Sequence, residues 1–275
     1  MKKLVFVLLP FLFLLIPVKL VKAQNMEVKK TVLILHGWPQ PVEQGSLNYQ
    51  YLTYFQNKGY NVVAPKLFTK DFVLKEPDAK NYVEKLLNGK KPDVIVGISL
   101  GGLLVPVIAK DYPDAKLIFI ATDPKTQSEA PGLKIILDLA KNINFLRMLN
   151  LLRFMPSRIL FSLYEFINPF NGSETDRELY VKDMNLNFKY MLAIPVDEEE
   201  EIVDFVSSSD NTELLKTMKN KSLIFSGKND LMMPANSESN LHSLLINSQE
   251  IISNGGHFNV IADRNFQDID KFLSE

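Results

Sequence analysis

The sequence predicts an α/β fold: a mostly parallel, doubly wound sheet of about six strands, helices on both faces, and an all-helical insertion. Three observations carry this reading. Short, wholly apolar runs alternate with helical patterns, as in a parallel sheet covered on both faces. One such run leads directly into a serine framed by glycines. The alternation stops between residues 124 and 211, where no strand pattern occurs, and then resumes.

The elements follow in order. "TVLILHG" (Thr31 to Gly37) reads as a buried strand, and "LNYQYLTYFQNKGY" as a helix that stops at Gly59. "NVVAP" is a second strand. "DAKNYVEKLLNGK" is a helix capped by Asp78 and ended by Gly89. "DVIVGIS" is the third strand, followed by a helix from Leu100 to Tyr112 that Pro106 should kink. "KLIFIAT" is the fourth. Within the insertion, "GLKIILDLAKNINFLRMLNLLRFM", "SRILFSLYEFI" and "DEEEEIVDFVSSS" read as helices. "TELLKTMKNK" and "ESNLHSLLI" are helices before and after the strand "SLIFSG". "QEIIS" is the last strand, and a helix near "NFQDIDKFL" ends the chain. The core is thus expected over 25–123 and 212–275, with the insertion over 124–211.

Composition limits the chemistry. With 275 residues and 46% of them hydrophobic, a large core can form. The formal net charge of -1 gives no argument for nucleic acid. The chain has no cysteine, which excludes disulfides, thiolate zinc sites and iron–sulfur clusters. Three histidines are too few for a histidine-rich metal site. The acidic run Asp197 to Glu201 reads as a solvated helix start, not a metal site. Residues 1–24 hold a basic "MKK", an apolar run and "VKA", which fits a cleaved signal peptide or an uncleaved N-terminal anchor. On either reading the body of the protein lies outside the cytoplasm.

The stretch "DVIVGISLGGLLV" holds the candidate chemistry. A serine hydroxyl is a weak nucleophile and needs a base beside it. It must also stand clear of the backbone. A sharp strand-to-helix turn achieves this but crowds strand against helix, and glycines at Gly97 and Gly101 relieve the crowding around Ser99. The helix that follows offers free backbone N–H groups to an anion.

With this motif, "SGKNDLMMP" after the penultimate strand, "NGGHFNV" after the last and "LILHGWP" after the first, the chain resembles the serine-nucleophile α/β-hydrolases. The resemblance spans about Thr31 to Leu273 apart from the insertion. It implies a triad of Ser99 as nucleophile, Asp230 as acid and His257 as base, which needs no metal or organic cofactor. Asp123 in "IATDP" is the alternative acid, and Asp230 also suits an Asx-turn. His242 lies within a helix, and His36 is expected to brace its loop. The resemblance implies an oxyanion hole of the Trp38 and Leu100 backbone N–H groups, with Gly37 the glycine of the first loop. The Trp38 side chain either walls the acyl pocket or packs in the core.

The insertion matches the place of a helical lid. Its first half is apolar, with Lys134, Lys141, Arg147, Arg153 and Arg158 against one acid, Asp138. It either roofs an apolar acyl or aromatic substrate, with its basic side suited to a membrane surface, or packs its apolar faces against itself and the core. The expected function is extracytoplasmic hydrolysis of a carboxylic ester, a small apolar molecule. A thioester, an amide, acyl transfer, or a silent binding protein on the same fold are the alternatives, and the oligomeric state is left open.

Overall fold

The computed structural model describes residues 29–39, 41–67, 78–125, 138, 154–167, 174–233, 235, 240–257, 260–261 and 266–275. The expected signal or anchor segment and most of the first apolar stretch of the insertion lie outside the described residues. Six strands form one sheet: β1 (Thr31–Leu35), β2 (Asn61–Val63), β3 (Val94–Ile98), β4 (Lys116–Ile120), β5 (Ser222–Gly227) and β6 (Ser248–Ser253). Their order is β2-β1-β3-β4-β5-β6, and all five pairings are parallel. The sheet matches the expected class, and each predicted strand is present within a few residues.

Strand position explains strand composition. β1, β3 and β5 are buried at every residue, while the edge strands β2 and β6 are partly exposed. A strand covered on both faces needs apolar residues at every position, which is why the central runs show no alternation. The side chains still divide by face. Leu33, Leu35, Ile95, Leu117 and Phe119 join one core cluster, and Val32, Ile34, Val96, Ile118 and Phe225 the other. Helices α2 (Asp78–Leu87) and α3 (Leu100–Ala109) pack into the first, and α1 (Tyr49–Asn57) into the second. The helix α3 continues through Pro106 to Ala109.

Among the described residues, the range 124–211 holds the helices α4 (Ser157–Ile167), α5 (Glu174–Met191) and α6 (Val196–Ser208). Two were legible in sequence; α5 was not. Its buried positions Tyr180, Asp183, Met184 and Asn187 follow helical spacing, but two of the four are polar. The ends of this region meet. Lys125 bridges to Asp210, and the Asn211 N–H donates to the Pro124 carbonyl at 2.9 Å. The remaining helices are α7 (Thr212–Thr217), α8 (Leu241–Leu244) and α9 (Gln267–Ser274). The helix α7 is shorter than expected because Asn220 turns to donate to the Tyr112 and Ala115 carbonyls at 3.0 and 2.8 Å. Among the described residues no helix is long and apolar enough to cross a membrane.

Candidate active site

The site forms where β1, β3, β5 and β6 end on one edge of the sheet. Ser99 sits between β3 and α3 with φ 50° and ψ -123°. A serine at positive φ stores about 1–3 kcal/mol of strain. The glycines show what holds it there. A Cβ on Gly97 would meet the Gly102 Cα at 2.6 Å, and one on Gly101 would meet the Leu35 and His36 carbonyls. A Cβ on Gly37 would lie 3.0 Å from the Ser99 Cβ. The loop after β1 therefore lies directly against the serine.

Two loops bring partners to Ser99. Its Oγ lies 2.8 Å from His257 Nε2, and His257 Nδ1 lies 2.8 Å from Asp230 Oδ2. The His257 side chain is 8% exposed and that of Asp230 fully buried. Asp230 Oδ1 accepts the N–H groups of Met232 and Met233, both at 2.8 Å. Asp230 thus makes the Asx-turn and also meets the histidine: one oxygen serves each purpose. The loops are tied to each other through their backbones. Lys228 N–H donates to the Ser253 carbonyl at 3.0 Å and Asn229 N–H to the Gly255 carbonyl at 3.1 Å. A Cβ on Gly227 would meet that Gly255 oxygen at 2.5 Å. The role of Gly227 in joining the two loops was not legible in sequence.

The other expected residues are placed as follows. Asp123 is buried in the loop after β4, while the His257 Nδ1 meets Asp230. Leu100 opens α3, where a first-turn N–H has no partner within the helix. Trp38 lines the cavity at Ser99 and also packs against the core. His36 is buried and braces its loop: Nδ1 donates to the Gly37 carbonyl at 2.7 Å and Nε2 accepts the Leu67 N–H at 2.9 Å. Burial lowers its pKa to about 4, so it stays neutral near pH 7.

The described cavity at Ser99 measures about 40 Å³. Trp38, Leu47, Ile98, Ile120 and Val260 give it apolar walls. Its remaining wall is polar. Asn48 and Tyr51 come from the start of α1, and Asp183 and Asn187 from α5. None of these four was singled out in the sequence. The helix α5 is tied to the loop before α1, since Asp183 Oδ1 accepts the Leu47 N–H at 2.7 Å.

No family model matches the chain, and no curated protein matches it by sequence. Solved structures do. A thermophilic esterase from Thermogutta terrifontis superposes with a TM-score of 0.65 at 18% identity, covering 89% of each chain. A bromoperoxidase from Bacillus anthracis gives 0.63 at 18% identity, over 90% of this chain and 92% of that one. An esterase from Exiguobacterium antarcticum gives 0.60 at 16% identity, over 89% and 91%. These likenesses span nearly the whole chain, and the protein has the α/β-hydrolase fold.

Proposed function

We propose that this protein is a serine hydrolase that cleaves a carboxylic ester through an acyl-enzyme. The observation that carries the reading is the continuous line Ser99 Oγ, His257 Nε2, His257 Nδ1, Asp230 Oδ2, with 2.8 Å at each hydrogen bond. His257 takes the Ser99 proton as the hydroxyl attacks the ester carbonyl, then returns it to the leaving alcohol. Asp230 holds the imidazole tautomer and stabilises the imidazolium; it is assigned the acid rather than Asp123. The Trp38 and Leu100 backbone N–H groups receive the oxyanion. Water then attacks the acyl-enzyme with His257 again as base. The esterase names of two structural neighbours favour ester cleavage.

The residues 124–211 act as a lid, and α5 supplies its contact with the site. The ester is a small molecule whose apolar part lies against Ile98, Ile120 and Val260. Residues 1–24 direct the protein out of the cytoplasm, as a signal or as an anchor, and the basic apolar half of the lid touches the membrane surface. The test is hydrolysis of 4-nitrophenyl esters of increasing acyl length by the full chain and by Ser99→Ala. The parent turns over the short esters, and the variant falls by at least about 10⁴-fold. Equal rates in the two proteins would overturn the reading.

A further inference from the structure

The mechanism above leaves one buried charged group of the cavity unused. We propose that Asp183 and Asn187 form a polar subsite that binds a hydrogen-bond donor on the substrate, a hydroxyl or a protonated amine. The proposal rests on the hydrolase reading of Ser99 and His257, which line the same cavity.

Asp183 is 1% exposed, yet it lines the cavity. Its Oδ1 accepts the Leu47 N–H at 2.7 Å and its Oδ2 accepts from Asn187 Nδ2 at 2.9 Å. A carboxylate offers about four acceptor positions, so these bonds leave about half of them free. Among the described residues no lysine, arginine or histidine forms an ion pair with it. Burying an unpaired carboxylate is costly. Fastening α5 to one backbone N–H does not require that charge, because an asparagine oxygen accepts the same bond. A ligand donor supplies what the site lacks.

The surroundings agree. Asn187 follows Asp183 by one helical turn, and its amide orients the carboxylate. Tyr51 faces the same cavity from α1, and burial next to Asp183 pushes its phenol above the ordinary range, so it stays neutral. Burial raises the Asp183 carboxyl to about 6, which leaves it mostly ionised above neutrality. Among the described residues, His257 is the remaining titratable group that lines the cavity. The apolar substrate expected from sequence is therefore amended: one end apolar, the other a donor.

The test uses three near-isosteric esters: methyl butyrate, methyl 3-hydroxypropionate and methyl 3-aminopropionate. Hydrolysis by the full chain is followed by pH-stat titration, and the readout is kcat/KM for each donor ester relative to butyrate. The parent prefers at least one donor ester. Asp183→Leu lowers that preference by about tenfold or more, and Asp183→Asn does so for the amine but less for the hydroxyl. Which arm responds tells hydroxyl from amine. A fall in all three rates by one factor, with the ratios kept, would make Asp183 a fastening for α5 alone and overturn the subsite. If the Asp183 variants do not fold, a parent preference for butyrate over both donor esters overturns it equally.

A second arm needs no turnover. Trp38 is the only tryptophan of the chain and lines the cavity, so its fluorescence reports binding to Ser99→Ala. A donor ester that binds more tightly than butyrate supports the subsite even where the parent hydrolyses nothing, and then the hydrolase reading alone fails. Equal affinity for the three esters overturns the subsite even where the parent hydrolyses all of them.

Discussion

The two walls of the cavity are held by different means. At Ser99 the backbone itself sets the geometry. Strand β3, helix α3 and the loop after β1 approach so closely that a Cβ on Gly97, Gly101 or Gly37 would meet other chain segments. At the opposite wall, side chains hold α5 to the loop before α1. Asp183 accepts from the Leu47 N–H at 2.7 Å, and Tyr190 lies beside Glu43, whose carboxylate raises the pKa of its phenol. Backbone contacts of the first kind allow one residue type at each position. Contacts of the second kind can be made by several side chains and can be exchanged. A rigidly held Ser99 thus faces a wall whose chemistry is free to vary.

The largest expected effect lies on the rigid side. Asp230→Asn keeps an oxygen for the Met232 and Met233 N–H groups but presents an amide to His257. It should lower kcat by about 10⁴-fold with little change in unfolding midpoint. Asp123→Asn should not approach that loss; if it did, the acid assignment would move to Asp123. Next comes Gly101→Ala. Its Cβ meets the backbone carbonyls of Leu35 and His36, which cannot rotate away. Urea unfolding should show a loss of about 3 kcal/mol or more, or no folded protein.

The matching change on the other wall is Gly45→Ala. Gly45 has φ 97°, and its added Cβ would meet only the flexible Leu186 Cδ1, at 3.2 Å. The cost should be about 1–2 kcal/mol, from backbone conformation alone. A loss equal to that of Gly101→Ala would erase the contrast between the walls. Smaller again is Tyr190→Phe, which removes the hydroxyl beside Glu43. It should cost about 1 kcal/mol or less in urea unfolding and raise KM more than it lowers kcat.

The last effect is a pH dependence beyond the cavity. Glu199 on α6 is buried, and burial raises its pKa from 4.5 to about 7. The folded protein then holds a proton that the unfolded chain has released between those values. Its contribution to stability is full below pH 4.5 and is lost as pH rises through 7. Glu199→Gln should therefore match the parent in Tm at pH 4 and exceed it by a few degrees at pH 8. His36, lowered from 6.5 to about 4, acts with the opposite sign: its contribution is full above 6.5 and falls toward pH 4. Comparing variant with parent at each pH cancels that part.

Legibility in the sequence followed the same division. The central strands were plain because burial on both faces demands apolar residues throughout. The Ser99 turn was plain because only glycine fits the close approaches around it. The resemblance pointed to Asp230 and His257 by their place after β5 and β6, though Asp230 alone read equally well as an Asx-turn. The helix α5 escaped because Asp183 and Asn187 occupy two positions of its buried stripe, where an apolar pattern was sought. Gly227 escaped because the loop it presses against lies 28 residues further along the chain, at Gly255.

The sequence by itself determined the sheet and the strained serine turn, and through the family resemblance it pointed to Asp230 and His257, which the fold brings into a hydrogen-bonded line with Ser99. Each of these depends on a local steric rule or on a fixed place after a strand. The polar wall of the cavity was decided only in the tertiary structure. Asp183 and Leu47 are 136 residues apart, and nothing in either neighbourhood signals the other. Their bond exists because the chain leaves the sheet after β4, returns before β5, and lays α5 over the loop that precedes α1.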